Sequence, residues 1–508
     1  MSLNRFSSNF GHLKYPLVAF LTVLAIRTIP EMLMGPYPLG FDTVAYYIPI
    51  TMQWLKEGVD FWQAMTMAPL FYALLTFVTA IGIPIILSLK IIPPLLHAFL
   101  ALTIYYYANK ALKWSPRKSL LTSLLATLYF VALRVSWDML RNQLGLIFLF
   151  LTLALSYMVL NKGDIKWKHY VLLSLVAILT VLAHQLVAAL MLIIFITLIT
   201  SIMLKGERAK VKSLIIALTP AAILFFTFNA FALVTGAEAI INTSTSPLPF
   251  QSSISNFDFF LYCYLPLLPL SIMGIIYFRD VRMNSWTLWI FFTLLIPLIF
   301  PSMLGLGGHR WTFMLVYPLA FLVIEALDKL KPSIKHKVRC IAYGAVLLAF
   351  ISLVAWLSIG FMIKSPESPI SYFDPQQQNR HIFYIQSSML QNTMSVENIP
   401  DFTKAITWLD ANHNNNSALV IPNQFYGLAL ITVKSPMKII DTVELTPFNP
   451  NGEQILISKC LETLNSGDSV YTVWWAPHHS WYGISFPLEG FVEEQGFGTF
   501  SVYRFSVV

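Results

Sequence analysis

The stretch that decides the fold reads Met34-Gly-Pro-Tyr-Pro-Leu-Gly-Phe-Asp42-Thr-Val-Ala-Tyr46-Tyr47, a polar run inside an apolar chain. Glycine and proline at this density predict an ordered turn rather than a helix. The polar loop continues to about residue 65, whereas neighbouring helices are usually joined by short connections. It places one carboxylate, Asp42, beside two tyrosines at a membrane surface. We therefore expect the chemistry of the protein in this loop.

The composition is that of a membrane protein built from helices. The 508 residues are 56% hydrophobic and 11% charged, whereas a soluble domain has roughly 25% charged residues. Repeated apolar stretches of about 20 residues are long enough to cross a bilayer as helices. The net charge of +8 does not indicate nucleic-acid binding. Most of the basic residues lie in short loops between apolar segments, where they set orientation.

The order of apolar segments and basic loops predicts the topology. Apolar segments lie at residues 15–34, 66–89, 91–112, 119–135, 143–160, 170–184, 187–204, 213–234, 259–278, 285–303, 311–328 and 340–362. Basic residues concentrate in the loops at 110–118, 162–168, 205–212, 279–282 and 329–339. The positive-inside rule places these loops and the N-terminus in the cytoplasm.

The positions of two loops leave room for only one crossing where two apolar segments occur. Loop 35–65 is then outside and loop 110–118 inside, so one segment between them does not span. We assign segment 66–89, which contains Pro69 and Gly82-Ile-Pro84, to a helix that lies at the outer interface or re-enters there. Eleven crossings remain.

The last part of the chain changes character. Residues 370–508 hold 6 Lys+Arg against 12 Asp+Glu, whereas residues 1–369 hold 27 against 13. Short β-like runs at 417–421, 437–440, 469–474 and 499–505 alternate with helix-like segments at 401–410 and 452–464. We predict a polytopic all-α transmembrane domain of about 11 spans over 1–362 with its N-terminus inside, a linker over 363–400, and a small extracytoplasmic α/β domain over 401–508.

The polar residues of the first outer loop have two interpretations. Asp42 either caps the short helix that follows it or acts as a general base toward an acceptor hydroxyl. Tyr46 and Tyr47 then pack against a sugar face. Asp60 is a further candidate for sugar or acceptor contact, with ordinary solvation at the interface as its alternative.

Other polar residues are predicted to gather on the same outer face. Arg134, Asp138 and Arg141 are spaced for one helical face. They form either a structural network or, through the arginines, a phosphate site with Asp138 toward the sugar. His184 interrupts an apolar stretch and is either a hairpin turn or a sugar contact. His309-Arg310 follows a glycine-rich run and suits an anion site at a helix start, with interfacial snorkelling as its alternative.

One charged pair is predicted within the first span. Arg27 and Glu31 are four residues apart, which places them on the same side of a helix. Ionisable residues inside a membrane are usually paired. We therefore expect them to contact each other.

The layout resembles the GT-C glycosyltransferase superfamily, which includes protein O-mannosyltransferases, aminoarabinose transferases and oligosaccharyltransferases. The similar motifs are Gly40-Phe-Asp42-Thr-Val-Ala-Tyr46-Tyr47, Ala68-Pro69-Leu70-Phe-Tyr72 and Ser136-Trp-Asp138-Met-Leu-Arg141-Asn142. The resemblance implies that Asp42 is the catalytic base and that outer arginines hold the phosphate of a polyprenyl-linked donor.

The chain also departs from the family pattern. Met67-Ala-Pro69-Leu70 stands where the family has His-Pro-Pro-Leu. Pro422-Asn-Gln-Phe-Tyr426-Gly427 stands near the place of the oligosaccharyltransferase Trp-Trp-Asp-Tyr-Gly motif. Recognition of a glycosylation sequon is therefore disfavoured. No second outer acid pairs clearly with Asp42, so no residue is assigned to a metal, and a divalent cation, Mg²⁺ or Mn²⁺, is left open.

These observations predict an inverting membrane glycosyltransferase. It would transfer a sugar from a polyprenyl (dolichyl) phosphate donor to a hydroxyl of a lipid-linked glycan, a glycolipid or a surface protein at the outer face. The donor phosphate would be held by Arg310, His309, Arg141 and Arg134. The alternatives are a transporter or flippase for a lipid-linked sugar and an oligosaccharyltransferase-like enzyme. Few cysteines and an outer domain favour a prokaryotic, in particular an archaeal, cell membrane.

Overall fold

The computed structural model of the chain is mostly helical, with a small sheet near the C-terminus. It describes residues 3–161, 167–235, 250–299, 309–332, 337–364, 388–413, 416–445, 449, 451–466, 468–477, 479 and 484–506.

The helices of the first part follow the apolar segments, because a chain in lipid has to bond its backbone groups within itself. They are α1 Leu3–Leu33, α2 Ile48–Glu57, α3 Phe61–Met67, α4 Leu70–Ala80, α5 Ile85–Tyr106, α6 Pro116–Leu128, α7 Phe130–Asp138, α8 Leu140–Asn161, α9 Trp167–Ala183, α10 Gln185–Leu204, α11 Arg208–Thr235, α12 Phe250–Tyr264, α13 Leu268–Tyr277, α14 Val281–Ile299, α15 His309–Met314, α16 Val316–Leu330 and α17 Lys337–Ile363. Two π-helical turns occur, at Thr43–Tyr47 and Tyr107–Ala111.

Several of these helices are long and apolar enough to cross a membrane. Within the described residues there are 6, or up to 8 if each of two bent helix pairs counts as one span. Three further segments that the sequence predicts to span coincide with helices in the structure. They are α9, α14, and α15 together with α16. A helical multi-pass architecture thus agrees with the prediction, whereas the count of eleven spans and the inside position of the N-terminus stay predictions.

The region predicted not to cross, residues 66–89, contains the end of α3, the short helix α4 and the start of α5. Helix α4 extends about 16 Å at 1.5 Å per residue, roughly half of a hydrocarbon core of about 30 Å. Farther along, Lys90 Nζ donates a hydrogen bond to the carbonyl oxygen of Glu31 at 2.9 Å, so the start of α5 lies beside the end of α1. This supports a single crossing between loop 35–65 and residue 110. The interfacial position of 66–89 stays a prediction.

Two segments predicted as single spans each contain a break between two helices. The chain bends by 59° between α6 and α7, and by 86° between residues Phe257–Tyr264 and α13. The first break is held by a tertiary contact, since the Tyr129 hydroxyl donates to the carbonyl oxygen of Cys263 at 2.7 Å. Pro266 lies in the second, where the residue before a proline avoids the helical conformation.

The prediction that Arg134, Asp138 and Arg141 share one face of a continuous helix is wrong, whereas their position on the outer side stays a prediction. Arg134 and Asp138 lie on the buried helix α7, whereas Arg141 lies on α8. Met139 separates the two helices with φ −84° and ψ 53°. Asp138, the residue before Met139, has its carbonyl oxygen bonded by a residue of another element: the Tyr47 hydroxyl donates to it at 2.9 Å.

The C-terminal part forms the expected α/β domain. Its elements are α18 Ile399–Asn412, β1 Ser417–Pro422, α19 Asn423–Thr432, β2 Lys438–Thr442, α20 Gly452–Asn465, β3 Ser469–Trp475, β4 Phe491–Phe497 and β5 Phe500–Phe505. The sheet order is β2-β1-β3-β5-β4. Strands β2, β1 and β3 are parallel, and β5 is antiparallel to β3 and β4. Strands β1 and β3 are almost entirely buried.

The C-terminal domain packs directly on the π-helical turn Thr43–Tyr47, which follows Asp42. Gly427 of α19 touches this turn so closely that a Cβ at this position would overlap the carbonyl oxygen of Val44. The end of the region predicted as a linker, residues 388–398, is also largely buried. There, Trp137 Nε1 donates to the carbonyl oxygens of Met389 and Gln391, both at 3.0 Å. Asn392 Nδ2 of the same segment donates to the carbonyl oxygen of Pro38 at 3.2 Å, so the first loop contacts both this segment and the C-terminal domain.

Candidate active site

Asp42 lies immediately before the π-helical turn Thr43–Tyr47. Its backbone is helical, with φ −59° and ψ −25°, and its side chain makes no capping hydrogen bond to that turn. The helix-cap interpretation of Asp42 is therefore wrong. A carboxylate that does not bond the local backbone is available to a ligand.

A glycine sets the approach of the Asp42 loop to α7. Gly40 has φ +92°, a conformation that L side chains rarely adopt. A Cβ at this position would also overlap the carbonyl oxygen of Trp137 and the Cβ of Asp138. Only glycine allows this contact, which brings Asp42 to the end of α7.

Arg310, the second residue of α15, faces Asp42. Its Nη2 lies 3.9 Å from Asp42 Oδ2, and the two side chains are 48% and 20% exposed. The contact is long for an ion pair and open to solvent, so both groups keep capacity for other partners. The side chain of His309 and the glycine-rich run before it lie outside the described residues. The anion site at this helix start stays a prediction, with Arg310 as its described member.

The two tyrosines of the loop have different surroundings. Tyr47 is buried, its hydroxyl donates to the backbone carbonyl oxygen of Asp138, and its ring packs edge-on against Phe71 at 4.9 Å between ring centroids. This position suits support of the loop rather than contact with a sugar. Tyr46 is 37% exposed and donates its hydroxyl to Glu444 Oε1 at 2.5 Å. Burial and the Glu444 carboxylate raise the pKa of Tyr46, so its hydroxyl stays protonated.

Glu444 comes from the C-terminal domain and was not a candidate from sequence. The backbone of the next residue, Leu445, makes two hydrogen bonds with the buried side-chain amide of Gln424. Gln424 Nε2 donates to the Leu445 carbonyl oxygen and Gln424 Oε1 accepts from the Leu445 N–H, each at 3.0 Å. Gln424 lies on α19, the helix whose Gly427 touches the Asp42 turn. One helix therefore both contacts the turn and orients the segment that carries Glu444.

Arg134 and Asp138 form a closed pair. Arg134 Nη1 donates to Asp138 Oδ1, and both side chains are 4% exposed. The guanidinium also lies over the rings of Trp137 and Phe313, at 4.9 and 5.4 Å. The structural-network interpretation fits these two residues better than direct binding of phosphate or sugar. Their predicted ligand contacts stay predictions.

Arg141 is the partly buried cation of this region. Its guanidinium lies 5.2 Å from the ring centroid of Tyr72, and its Nε has no hydrogen-bond partner among the described residues. A buried N–H without a partner costs free energy. An anion bound at this position would supply the missing acceptor.

His184 joins α9 and α10 and caps the second of them. Its Nδ1 accepts a hydrogen bond from the N–H of Leu186 at 3.2 Å, which agrees with the hairpin-turn interpretation. Burial lowers the pKa of His184, and Arg141 and Arg310 lower it further. The neutral ring therefore carries its proton on Nε2. That N–H is available to a ligand, so the cap does not exclude the predicted sugar contact.

Asp60 has a local role. Its Oδ1 accepts from the N–H of Trp62 at 2.9 Å, which caps α3.

The predicted pair within the first span is present, with Arg27 Nη1 at 2.9 Å from Glu31 Oε1. The described residues contain no group of three or more His, Cys, Asp or Glu side chains suited to a metal ion. The possibility of a divalent cation, Mg²⁺ or Mn²⁺, stays open as predicted.

Solved structures share this fold at low sequence identity. An oligosaccharyltransferase from Archaeoglobus fulgidus in the apo form has a TM-score of 0.59 and 12% identity, covering 91% of this chain and 69% of its own. ArnT from Cupriavidus metallidurans, bound to undecaprenyl phosphate, has a TM-score of 0.54 and 11% identity, covering 96% of this chain and 97% of its own. No family model and no curated protein matches the sequence. The chain has the GT-C fold, as its motifs predict.

Proposed function

We propose that this GT-C-fold protein is a membrane glycosyltransferase that uses a polyprenyl-phosphate-linked sugar, with Asp42 as its general base. One observation carries the proposal. Asp42 neither caps its helix nor forms a closed ion pair, and it faces the half-exposed Arg310. Charged side chains that are partly exposed and have no close ion-pair partner are candidates for binding a ligand.

The reaction assigns a task to each of these groups. Asp42 takes the proton of an acceptor hydroxyl, whose oxygen attacks the anomeric carbon of the donor sugar. The bond from that carbon to the phosphate oxygen breaks, and its electron pair leaves with the polyprenyl phosphate. In-line displacement inverts the anomeric centre. A carboxylate base contributes roughly 10²–10⁴-fold to the rate.

The arginines suit the leaving group. Negative charge grows on the bridging phosphate oxygen as the bond breaks, so a fixed cation stabilises the transition state more than the ground state. Arg310 supplies this charge beside Asp42, and Arg141 offers an unpaired N–H. The undecaprenyl phosphate bound to ArnT from Cupriavidus metallidurans supports a leaving group of this class.

The acceptor enters beside the C-terminal domain in this proposal. Glu444 and Tyr46 join that domain to the Asp42 loop, so a sugar hydroxyl approaching Asp42 meets both. The acceptor is a lipid-linked glycan, a glycolipid or a surface protein at the outer face, where the loop is predicted to lie. The domain then shapes the acceptor site and covers it.

Purified protein in vesicles tests the proposal with a panel of tritiated hexose and pentose donors linked to polyprenyl phosphate. Sugar should move to the lipid or protein fraction of added membranes as polyprenyl phosphate is released. Asp42→Asn should lose at least 100-fold in rate. Asp60→Asn, a substitution of the helix-capping carboxylate in the same loop, should retain the wild-type rate. Equal rates for Asp42→Asn and wild type, or no turnover of any donor, would contradict the proposal.

A further inference from the structure

A cavity of about 740 Å³ lies at the end of the helical domain away from Asp42. It is bounded by the start of α1, the end of α5, the start of α6 and the middle of α8. Helices α1 and α5 are antiparallel, since Lys90 at the start of α5 contacts Glu31 near the end of α1. The segment from Lys90 to Lys110 extends about 30 Å as a helix, which is roughly the thickness of the hydrocarbon core.

The lining of this cavity is apolar along its length and polar at one end. Phe99, Leu102 and Leu151 are among the apolar residues, and Asn109 and Lys110 are polar. From Phe99 to Lys110 the helix advances about 16 Å, close to one leaflet of a core of about 30 Å. The volume also lies within the range of roughly 300–1,000 Å³ that is typical of ligand pockets.

One exposed cation, Lys110, lines the polar end, and two further exposed cations, Lys14 and Arg117, are adjacent in sequence to residues that line the cavity. Lys14 follows the lining residue Leu13, and Arg117 follows the lining residue Pro116. Among the described residues, no carboxylate forms an ion pair with any of the three cations.

Nearby acids are already engaged with another lysine. Lys118 Nζ contacts Glu325 Oε2 at 2.5 Å and Asp328 Oδ2 at 2.8 Å. Among the described residues, these three cations make one side-chain hydrogen bond, from Arg117 Nε to the Tyr15 hydroxyl at 3.4 Å. Their positive charge is therefore left for an anion from outside the chain.

We propose that this groove binds one acyl chain of an anionic phospholipid, with its phosphate at Lys14, Lys110 and Arg117. The apolar length matches a lipid tail in one leaflet, and the charge at its end matches an anionic headgroup. Attraction of anionic lipid is worth about 1 kcal/mol for each basic residue near the surface. The site is separate from the proposed donor site because Asp42 lies near the opposite membrane face.

Native mass spectrometry of the full-length protein tests this assignment. The protein is equilibrated in detergent with equal concentrations of dioleoyl phosphatidylglycerol and dioleoyl phosphatidylcholine. Wild type should retain one phosphatidylglycerol at least tenfold more often than phosphatidylcholine. Lys110→Gln/Arg117→Gln should lose that preference by about tenfold or more. Lys205→Gln/Lys212→Gln, exposed cations at another loop predicted on the same side, should retain the preference.

A second variant tests the apolar part of the groove. Leu102→Trp fills the cavity without changing charge, and it should lower retention of both lipids at this site. Unchanged retention of both lipids by Leu102→Trp would overturn the assignment of an acyl chain to this groove. Equal retention of the two lipids by wild type, or an unchanged preference in Lys110→Gln/Arg117→Gln, would overturn the proposal.

Discussion

Two carboxylate–guanidinium pairs lie at the same end of this molecule and differ in nearly every physical respect. Arg134 and Asp138 are both 4% exposed, are hydrogen bonded, and lie among aromatic rings. Asp42 and Arg310 are 20% and 48% exposed and stand 3.9 Å apart. The first pair can bind a ligand only by breaking a buried contact, whereas the second can bind one at little cost. The open pair is therefore the better candidate for chemistry.

The way each pair forms explains the difference. Arg134 and Asp138 are one helical turn apart, so they meet whenever α7 forms. Asp42 and Arg310 come from distant parts of the chain and meet only when the loop, α7 and α15 are assembled. Gly40 and Gly427 allow that assembly through contacts too close for any larger residue. The open site thus depends on the whole fold, and the closed pair helps to build it.

The largest expected effect on stability comes from breaking the closed pair. Asp138→Asn leaves the buried Arg134 charge without its carboxylate partner, which should lower the free energy of unfolding by about 3–5 kcal/mol. Urea denaturation in detergent, followed by tryptophan fluorescence, measures this change. Asp328→Asn, which removes a 53% exposed partner of Lys118, should change it by about 1 kcal/mol or less. Equal effects of the two variants would contradict the distinction between closed and exposed pairs.

Arg310→Ala should weaken binding of polyprenyl phosphate by about 10–100-fold, because one charge-assisted contact is worth roughly 1.5–3 kcal/mol. The melting temperature should stay unchanged, since the side chain is half exposed. Equilibrium binding of tritiated polyprenyl phosphate measures the first quantity. Arg310→Lys should recover part of the affinity, and Arg279→Ala, an exposed arginine at another loop, should retain all of it. Unchanged binding in Arg310→Ala would remove this residue from the phosphate site.

Glu444→Gln tests whether the C-terminal domain contributes to the acceptor site. The variant keeps the shape of the side chain but weakens the bond from Tyr46, so the KM for the acceptor should rise about fivefold. Donor affinity should not change. Combining it with Tyr46→Phe should add nothing further, because both substitutions remove the same contact. Independent, additive effects would show that the Tyr46–Glu444 contact is not the relevant one.

The smallest expected effect concerns Asp60. Asp60→Ala removes the cap of α3 and should cost about 1 kcal/mol of stability, with the transfer rate unchanged. Thermal unfolding and transfer assays on the same preparation measure both. A loss of transfer with unchanged stability would show that Asp60 contributes to the active site, and Asp42 would then not be the only carboxylate of this loop that transfer requires.

Much of this architecture follows from patterns that the sequence displays locally. Apolar length predicts the helices, and turn residues around Asp42 predict an ordered loop. The short spacing of Arg27 and Glu31 predicts their contact. The broken helices were not predicted, because the break at Tyr129 is held by Cys263, far along the chain. Strand β4 was missed because most of its side chains are exposed, which leaves no alternating pattern.

The site was predicted less completely than the fold. Asp42 and Arg310 stand out through glycines, proline and charge in apolar surroundings. Glu444 carries no such signal, since it reaches Tyr46 across 398 residues of sequence. The predicted common face of Arg134, Asp138 and Arg141 was wrong because Met139 interrupts the helix. Spacing along a chain predicts a shared face only while the helix continues.

The role of Asp42 is tested most directly by measuring sugar transfer and thermal stability on one preparation of Asp42→Asn. The substitution removes the charge and keeps the size of the side chain. Transfer should fall at least 100-fold, and the melting temperature should stay within about 2 °C of wild type because no closed contact is lost. Transfer at the wild-type rate by the folded variant would contradict the assignment of Asp42 as the base.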